Sequence, residues 1–123
     1  MPPVENLGKI LYAEDDYANR KLIELQLRRR GFLCVTVEDG VQALESYAKD
    51  TFSLVILDYN MPGLSGTQTL VKIREINPKQ KILALTSDDS VSTDLLEQGF
   101  DRVVIKPILD DSLLEAVLDV LNS

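Results

Sequence analysis

Five short clusters of carboxylate, hydroxyl, amide and ammonium groups recur along the chain, each directly after an apolar run. They are Glu14-Asp15-Asp16, Glu38-Asp39, Asp58-Tyr59-Asn60, Thr86-Ser87-Asp88-Asp89 and Lys106-Pro107, and they hold eight of the 20 acidic residues. Carboxylates gathered in one place repel one another, and hard oxygen donors beside a lysine suit a divalent cation such as Mg²⁺. The chain has no histidine, which excludes imidazole as general base, metal ligand or phosphoryl carrier. Any chemistry must therefore rest on carboxylates, hydroxyls, lysine and backbone. The competing role for each acid is ordinary, as a helix N-cap or a solvated loop residue. That role is expected for Asp16, Asp39 and Asp89, whereas Glu14, Asp15 and Asp58 are taken as the site.

The apolar runs that must position these groups are Ile10–Ala13, Leu33–Val37, Leu54–Leu57, Ile82–Leu85 and Val103–Ile105. They are mostly continuous rather than alternating, the pattern of a parallel sheet buried on both faces. Helical spacing fills the intervals. In the first, Ala18, Leu22 and Leu25 are expected on one face, and Arg28-Arg29-Arg30 followed by Gly31 reads as a cationic last turn and its stop. Further helices are predicted over about Gly40–Lys49, Ser65–Ile76 (ended by Asn77-Pro78), Ser90–Gln98 (ended by Gly99) and Asp110–Leu121. The last has two acids at its start and Leu113, Val117, Val120 and Leu121 on one face. Alternating strands and helices with short connections predict an open α/β sheet with right-handed crossovers. Ligands of such sheets bind outside the carboxyl ends of the strands, where the polar clusters fall.

A chain of 123 residues with 45% hydrophobic and 27% charged residues fits one compact domain and not a disordered segment. The reading is one domain over residues 1–123, with its core at about 8–122 and no further output domain. The net charge of -7 argues against direct nucleic-acid binding, which rests on neutralising phosphates with Lys and Arg. No apolar run is long enough to span a membrane, and the start MPPVENLGK lacks the charged and apolar regions of a leader, so a cytoplasmic protein is expected. The single cysteine, Cys34, lies in an apolar run and is expected as a buried structural thiol.

The segments ILYAEDD (Ile10–Asp16), LVILDYNMPGLSG (Leu54–Gly66), ILALTS (Ile82–Ser87) and Ile105-Lys106-Pro107 resemble, in order and spacing, the successive signatures of response-regulator receiver domains of two-component phosphorelays. The resemblance spans residues 8–122. It implies a flavodoxin-like, doubly wound five-stranded parallel sheet of order 2-1-3-4-5 with five helices, which sets Glu14 and Asp15 beside Asp58. It further implies that Asp58 accepts a phosphoryl group in a Mg²⁺-dependent reaction. Asp15 and Asp58 would ligate the ion directly, Glu14 mainly through coordinated water and Asn60 through its backbone carbonyl. Lys106 and the Thr86 hydroxyl would each hold a phosphoryl oxygen, and the Lys106-Pro107 bond would be cis. The donor implied is a sensor histidine kinase or a histidine phosphotransfer protein; the downstream effector is unknown, and a phosphorylation-dependent homodimer is left open. Such a domain is not an enzyme beyond its own phosphorylation and dephosphorylation, the latter expected to depend on Asn60 and Asp88.

In two respects the chain departs from the family pattern. Receivers usually carry Tyr or Phe three residues before the lysine, where this chain has Val103, so a response by a swinging ring is not expected. Ser87 follows Thr86 where a smaller residue often stands. Two other classes share part of this pattern. A phosphorylation-independent pseudo-receiver would typically lose the acceptor, the acidic pair or the lysine, all present here. A haloacid-dehalogenase-type phosphohydrolase wants a second Asp two residues after its nucleophile, where this chain has Asn60.

Overall fold

The computed structural model describes residues 8–108 and 110–123. The elements run β1 (Lys9–Ala13), α1 (Tyr17–Arg29), β2 (Leu33–Val37), α2 (Gly40–Tyr47), β3 (Leu54–Asp58), α3 (Gly66–Ile76), β4 (Ile82–Thr86), a 3₁₀ turn (Asp89–Val91), α4 (Ser92–Gln98), β5 (Arg102–Ile105) and α5 (Ser112–Leu121). All strand pairs are parallel and the sheet order is β2-β1-β3-β4-β5, as the resemblance implies. The sequence reading of residues 1–7 lies outside the described residues.

Side chains alternate between the two faces of each strand, and both faces are covered. Ile10, Tyr12, Leu54, Ile56, Leu83, Leu85 and Val104 pack with Ile23 and Leu27 of α1 and with Leu113, Ala116 and Val117 of α5. Leu11, Ala13, Val55, Leu57, Ile82 and Ala84 pack with Ala43 of α2, Leu70 and Ile73 of α3, and Leu95 of α4. Every residue of β3 and β4 is buried, which is why these strands read as unbroken apolar runs.

Local chemistry fixes the helix starts next to the strand ends. Asp16 caps α1 by accepting from the Asn19 N–H at 2.8 Å, and Asp39 caps α2 by accepting from the Gln42 N–H at 2.8 Å. Ser65 and Gln68 form a capping box at the start of α3, closing two otherwise unpaired donors. The expected face of α1 is corrected: Ala18, Leu22 and Leu25 are exposed, and the buried residues are Ile23 and Leu27. Two apolar stripes one residue apart compete in this helix, and the one that continues from Arg20 faces the sheet. The segment Ser90–Gln98 is split into the 3₁₀ turn and α4, because the Asp88 carboxylate captures the Ser90 N–H at 2.9 Å and tightens the entry. Asp110 and Asp111 precede α5 rather than open it, with Asp110 accepting from the Ser112 N–H at 2.9 Å.

Candidate functional site

The register of the sheet assembles the site. Ala13 lies opposite Leu57, so the next residues of β1 and β3, Glu14 and Asp58, leave the sheet side by side. Glu14 has the parity of Tyr12, Asp58 that of Ile56, and Lys106 that of Val104, so all three project on the α1/α5 side. The Glu14 N–H donates to the Val37 carbonyl at 3.0 Å and the Lys106 N–H to the Thr86 carbonyl at 2.8 Å. These bonds prolong the parallel pairing one residue past the strand ends. Arg20 of α1 donates through Nη1 to the Glu14 carbonyl at 2.8 Å, pinning the acidic loop from below.

The loop after Asp58 is held equally closely. The Tyr59 N–H donates to the Leu85 carbonyl at 2.8 Å, and the Gly66 N–H donates to the Tyr59 carbonyl at 3.2 Å. A Cβ at Gly66 would stand 2.9 Å from the Asp58 carbonyl oxygen and 3.1 Å from Tyr59 Cα. Both are backbone atoms, so α3 can start against the end of β3 only with glycine at its first position. The Lys106-Pro107 bond is cis.

Three carboxylates converge here. One oxygen each of Glu14, Asp15 and Asp58 lies within 4.8 Å of the others; Glu14 and Asp58 are buried and Asp15 is exposed. Lys106 Nζ lies 3.2 Å from Asp58 Oδ1 and 3.3 Å from Glu14 Oε1. Burial pushes the Asp58 carboxyl up to about 7, reinforced by its hydrogen bond with Glu14 and by that group's negative charge, while Lys106 pulls the other way. Burial alone disfavours the Lys106 ammonium, but the two carboxylates outweigh it and hold this group above its ordinary value. Two buried acids sharing one lysine leave an excess of negative charge. That excess and the hard oxygen donors together fit a divalent cation such as Mg²⁺.

Of the residues singled out in the sequence, Glu14, Asp15, Asp58 and Lys106 are brought together. Lys106 reaches both acids and forms an ion pair with each inside the site. Thr86 is fully buried, and its hydroxyl oxygen accepts from the Asp88 N–H at 3.1 Å. The Asp88 carboxylate is engaged at the 3₁₀ turn by the Ser90 N–H and, at 2.6 Å, by the Ser90 hydroxyl, so Asp88 caps the turn while Asp89 is exposed. Asn60 and Ser87 are exposed, and Val103 is half-buried against the α2/α3/α4 core. Cys34 is buried in the other core, where burial pushes its thiol up to about 12. Sequence reasoning missed Tyr12, whose hydroxyl donates to Glu14 Oε1 at 3.0 Å; its spacing of two from Glu14 on one strand face was the available signal.

A parallel β2-β1-β3-β4-β5 sheet carrying an acidic triad and a lysine at its carboxyl edge defines a class, and the comparisons give that class its name. The chain belongs to the response regulator receiver domain family, whose model it matches over residues 10–118. It is 36% identical over 112 residues to the response regulator protein FleR of Pseudomonas aeruginosa, covering 89% of this chain and 24% of FleR. It is 35% identical over 120 residues to hybrid signal transduction histidine kinase I of Dictyostelium discoideum, covering 89% of this chain and 7% of that protein. Among solved structures it is similar to the response regulator TrrA of Thermotoga maritima in complex with Mg²⁺-BeF. The TM-score is 0.86 and the identity 32%, with 93% of this chain and 99% of that one covered. TrrA is also solved with the histidine kinase ThkA. The chain spans 49% of the length of the uncharacterized transcriptional regulatory protein YkoG of Bacillus subtilis and so covers only part of such relatives. Among the described residues no helix is long and apolar enough to cross a membrane.

Proposed function

We propose that the chain is a phospho-accepting receiver in a two-component phosphorelay, with Asp58 as the acceptor. The observation that carries this reading is the buried Asp58 carboxylate within ion-sharing distance of Glu14 and Asp15 and 3.2 Å from the Lys106 ammonium. An oxygen of Asp58 attacks the phosphorus of a phosphohistidine on a sensor kinase or phosphotransfer protein. The P–N bond breaks as the P–O bond forms, and the electron pair leaves with the imidazole, which takes up a proton. Because residues 1–123 hold no histidine, the donor phosphohistidine lies outside this stretch, or a small acyl phosphate takes its place. Lys106 holds one phosphoryl oxygen as a compact cation, and the Thr86 hydroxyl, whose oxygen already accepts from Asp88, donates its hydrogen to another.

Glu14, Asp15 and Asp58, with the Asn60 carbonyl, would hold Mg²⁺, which when bound neutralises charge developing between two anions. The likeness to TrrA, solved with Mg²⁺-BeF, supports that assignment. Asn60 and Asp88 border the route of water to the phosphoryl group and set its lifetime. The domain signals by conformation and catalyses only its own phosphorylation and dephosphorylation. Residues 1–123 are read as one receiver unit acting in the cytoplasm, either alone or as part of a larger regulator or hybrid kinase. With Val103 where a switching ring usually stands, the response at α4 and β5 should differ from the ring-swing type, which amide chemical shifts with and without beryllofluoride would reveal.

The experiment is intact-mass measurement after incubation with acetyl phosphate, with and without Mg²⁺, for the natural chain and Asp58→Asn. Gain of one phosphoryl group that needs both Mg²⁺ and Asp58 is expected. No gain from acetyl phosphate or from a phosphorylated kinase would favour a phosphorylation-independent interaction module.

A further inference from the structure

Tyr12 stands two residues before Glu14 on β1, on the same face of the sheet and fully buried. Its hydroxyl donates to Glu14 Oε1 at 3.0 Å, and Lys106 Nζ approaches that same oxygen at 3.3 Å. The other oxygen, Oε2, accepts from the Asp16 N–H at 3.3 Å. Lys106 is therefore divided between Glu14 and Asp58, and Oε1 of Glu14 has two donors where Oε2 has a backbone amide.

A lysine that turns to a phosphoryl oxygen on Asp58 draws away from Glu14. The Glu14 side chain is 1% exposed, so bulk water cannot readily replace the lost donor, and a Mg²⁺ that Glu14 would reach through a coordinated water offsets only part of the cost of a buried charged acceptor that loses a donor. Tyr12 stays, because its ring is fixed in the core by Ile10, Ile56 and their neighbours. We propose that Tyr12 is a positioning residue for phosphorylation: its hydroxyl keeps Oε1 of Glu14 satisfied and so frees Lys106 to engage the phosphoryl group. This rests on the reading of Asp58 as the acceptor. Without the hydroxyl, the Lys106 ammonium is the remaining cationic donor to Oε1 among the described residues, and it is held on Glu14.

Tyr12→Phe removes one oxygen atom and leaves the ring in place. Beryllofluoride, as the phosphoryl stand-in, is titrated at saturating Mg²⁺ and followed by ¹⁹F NMR; Mg²⁺ alone is titrated by calorimetry; both are repeated in a Glu14→Gln background. The expected result is a beryllofluoride dissociation constant raised about tenfold by Tyr12→Phe while that of Mg²⁺ moves less than about twofold. In the Glu14→Gln background Tyr12→Phe should add little, since the negative charge that would hold Lys106 is gone. Equal weakening of Mg²⁺ and beryllofluoride, no change in either, or a full effect in the Glu14→Gln background would each overturn the proposal. Failure of the natural chain to bind beryllofluoride would instead bring down the acceptor reading, and this inference with it.

Discussion

Replacing Asp58 by Asn should stabilise the metal-free protein, and more so at pH 8 than at pH 5. Asp58 is 3% exposed beside Glu14, and its pKa is raised from 3.8 to about 7 in the folded chain. In the unfolded chain the carboxyl ionises at its ordinary value, so between the two values the folded state keeps a proton the unfolded state has released. Stability accordingly falls as pH rises through this window, with no penalty well below the lower value and the full penalty above the upper one. A rise of that size corresponds to roughly 4 kcal/mol when the group is fully ionised, of which about 1.5 kcal/mol is already felt at pH 5. Some relaxation around the carboxylate reduces the remainder to about 2 kcal/mol developing between pH 5 and pH 8. Asn matches the neutral acid in size and never ionises, and the other titrating groups are common to both chains. Urea unfolding in EDTA at the two pH values measures the effect, as a relative gain in midpoint of about 1 M for the variant. A gap between the chains that does not change from pH 5 to pH 8 would refute the assigned environment of Asp58.

Lys106→Met leaves Glu14 and Asp58 buried without their cation and should cost about 3 kcal/mol at pH 8. The cost should shrink at pH 5, where Asp58 retains its proton, and denaturant titrations at both pH values check this. Gly66→Ala forces a Cβ against the Asp58 and Tyr59 backbone, which should cost about 1–3 kcal/mol and slow phosphoryl uptake from acetyl phosphate. Thermal melts and a mass time course read the two effects. Asp39→Ala removes the N-cap of α2 and should cost about 1 kcal/mol with phosphoryl uptake unchanged, since Asp39 lies outside the acidic triad.

The strands and the edge where the site forms were legible because buried parallel strands write themselves as apolar runs and because polar residues resume where the sheet ends. Glu14, Asp15, Asp58 and Lys106 could be picked out on those grounds, and the order of the strands followed from the resemblance. The packing face of α1 was not legible: Ala18, Leu22 and Leu25 make as good a helical stripe as Ile23 and Leu27, and only the sheet decides between them. The break before α4 escaped because a 3₁₀ turn keeps nearly helical spacing and depends on one side chain, Asp88, taking the Ser90 N–H. Gly66 fell inside the helix predicted over Ser65–Ile76, and its need to be glycine arises from the backbone at the end of β3, eight residues earlier. Tyr12 was read as one more apolar strand residue because its ring is buried, although its hydroxyl lies at the acidic edge.

The central claim is that the phosphoryl group lands on Asp58. An acyl phosphate is reduced by borohydride to an alcohol, so treating the acetyl-phosphate-loaded protein with sodium borohydride and mapping its peptides converts the acceptor aspartate to homoserine. Homoserine at position 58, formed only when Mg²⁺ is present, is the predicted result; a reduced residue at Glu14, Asp15 or any other acid, or none despite phosphoryl uptake, would contradict it.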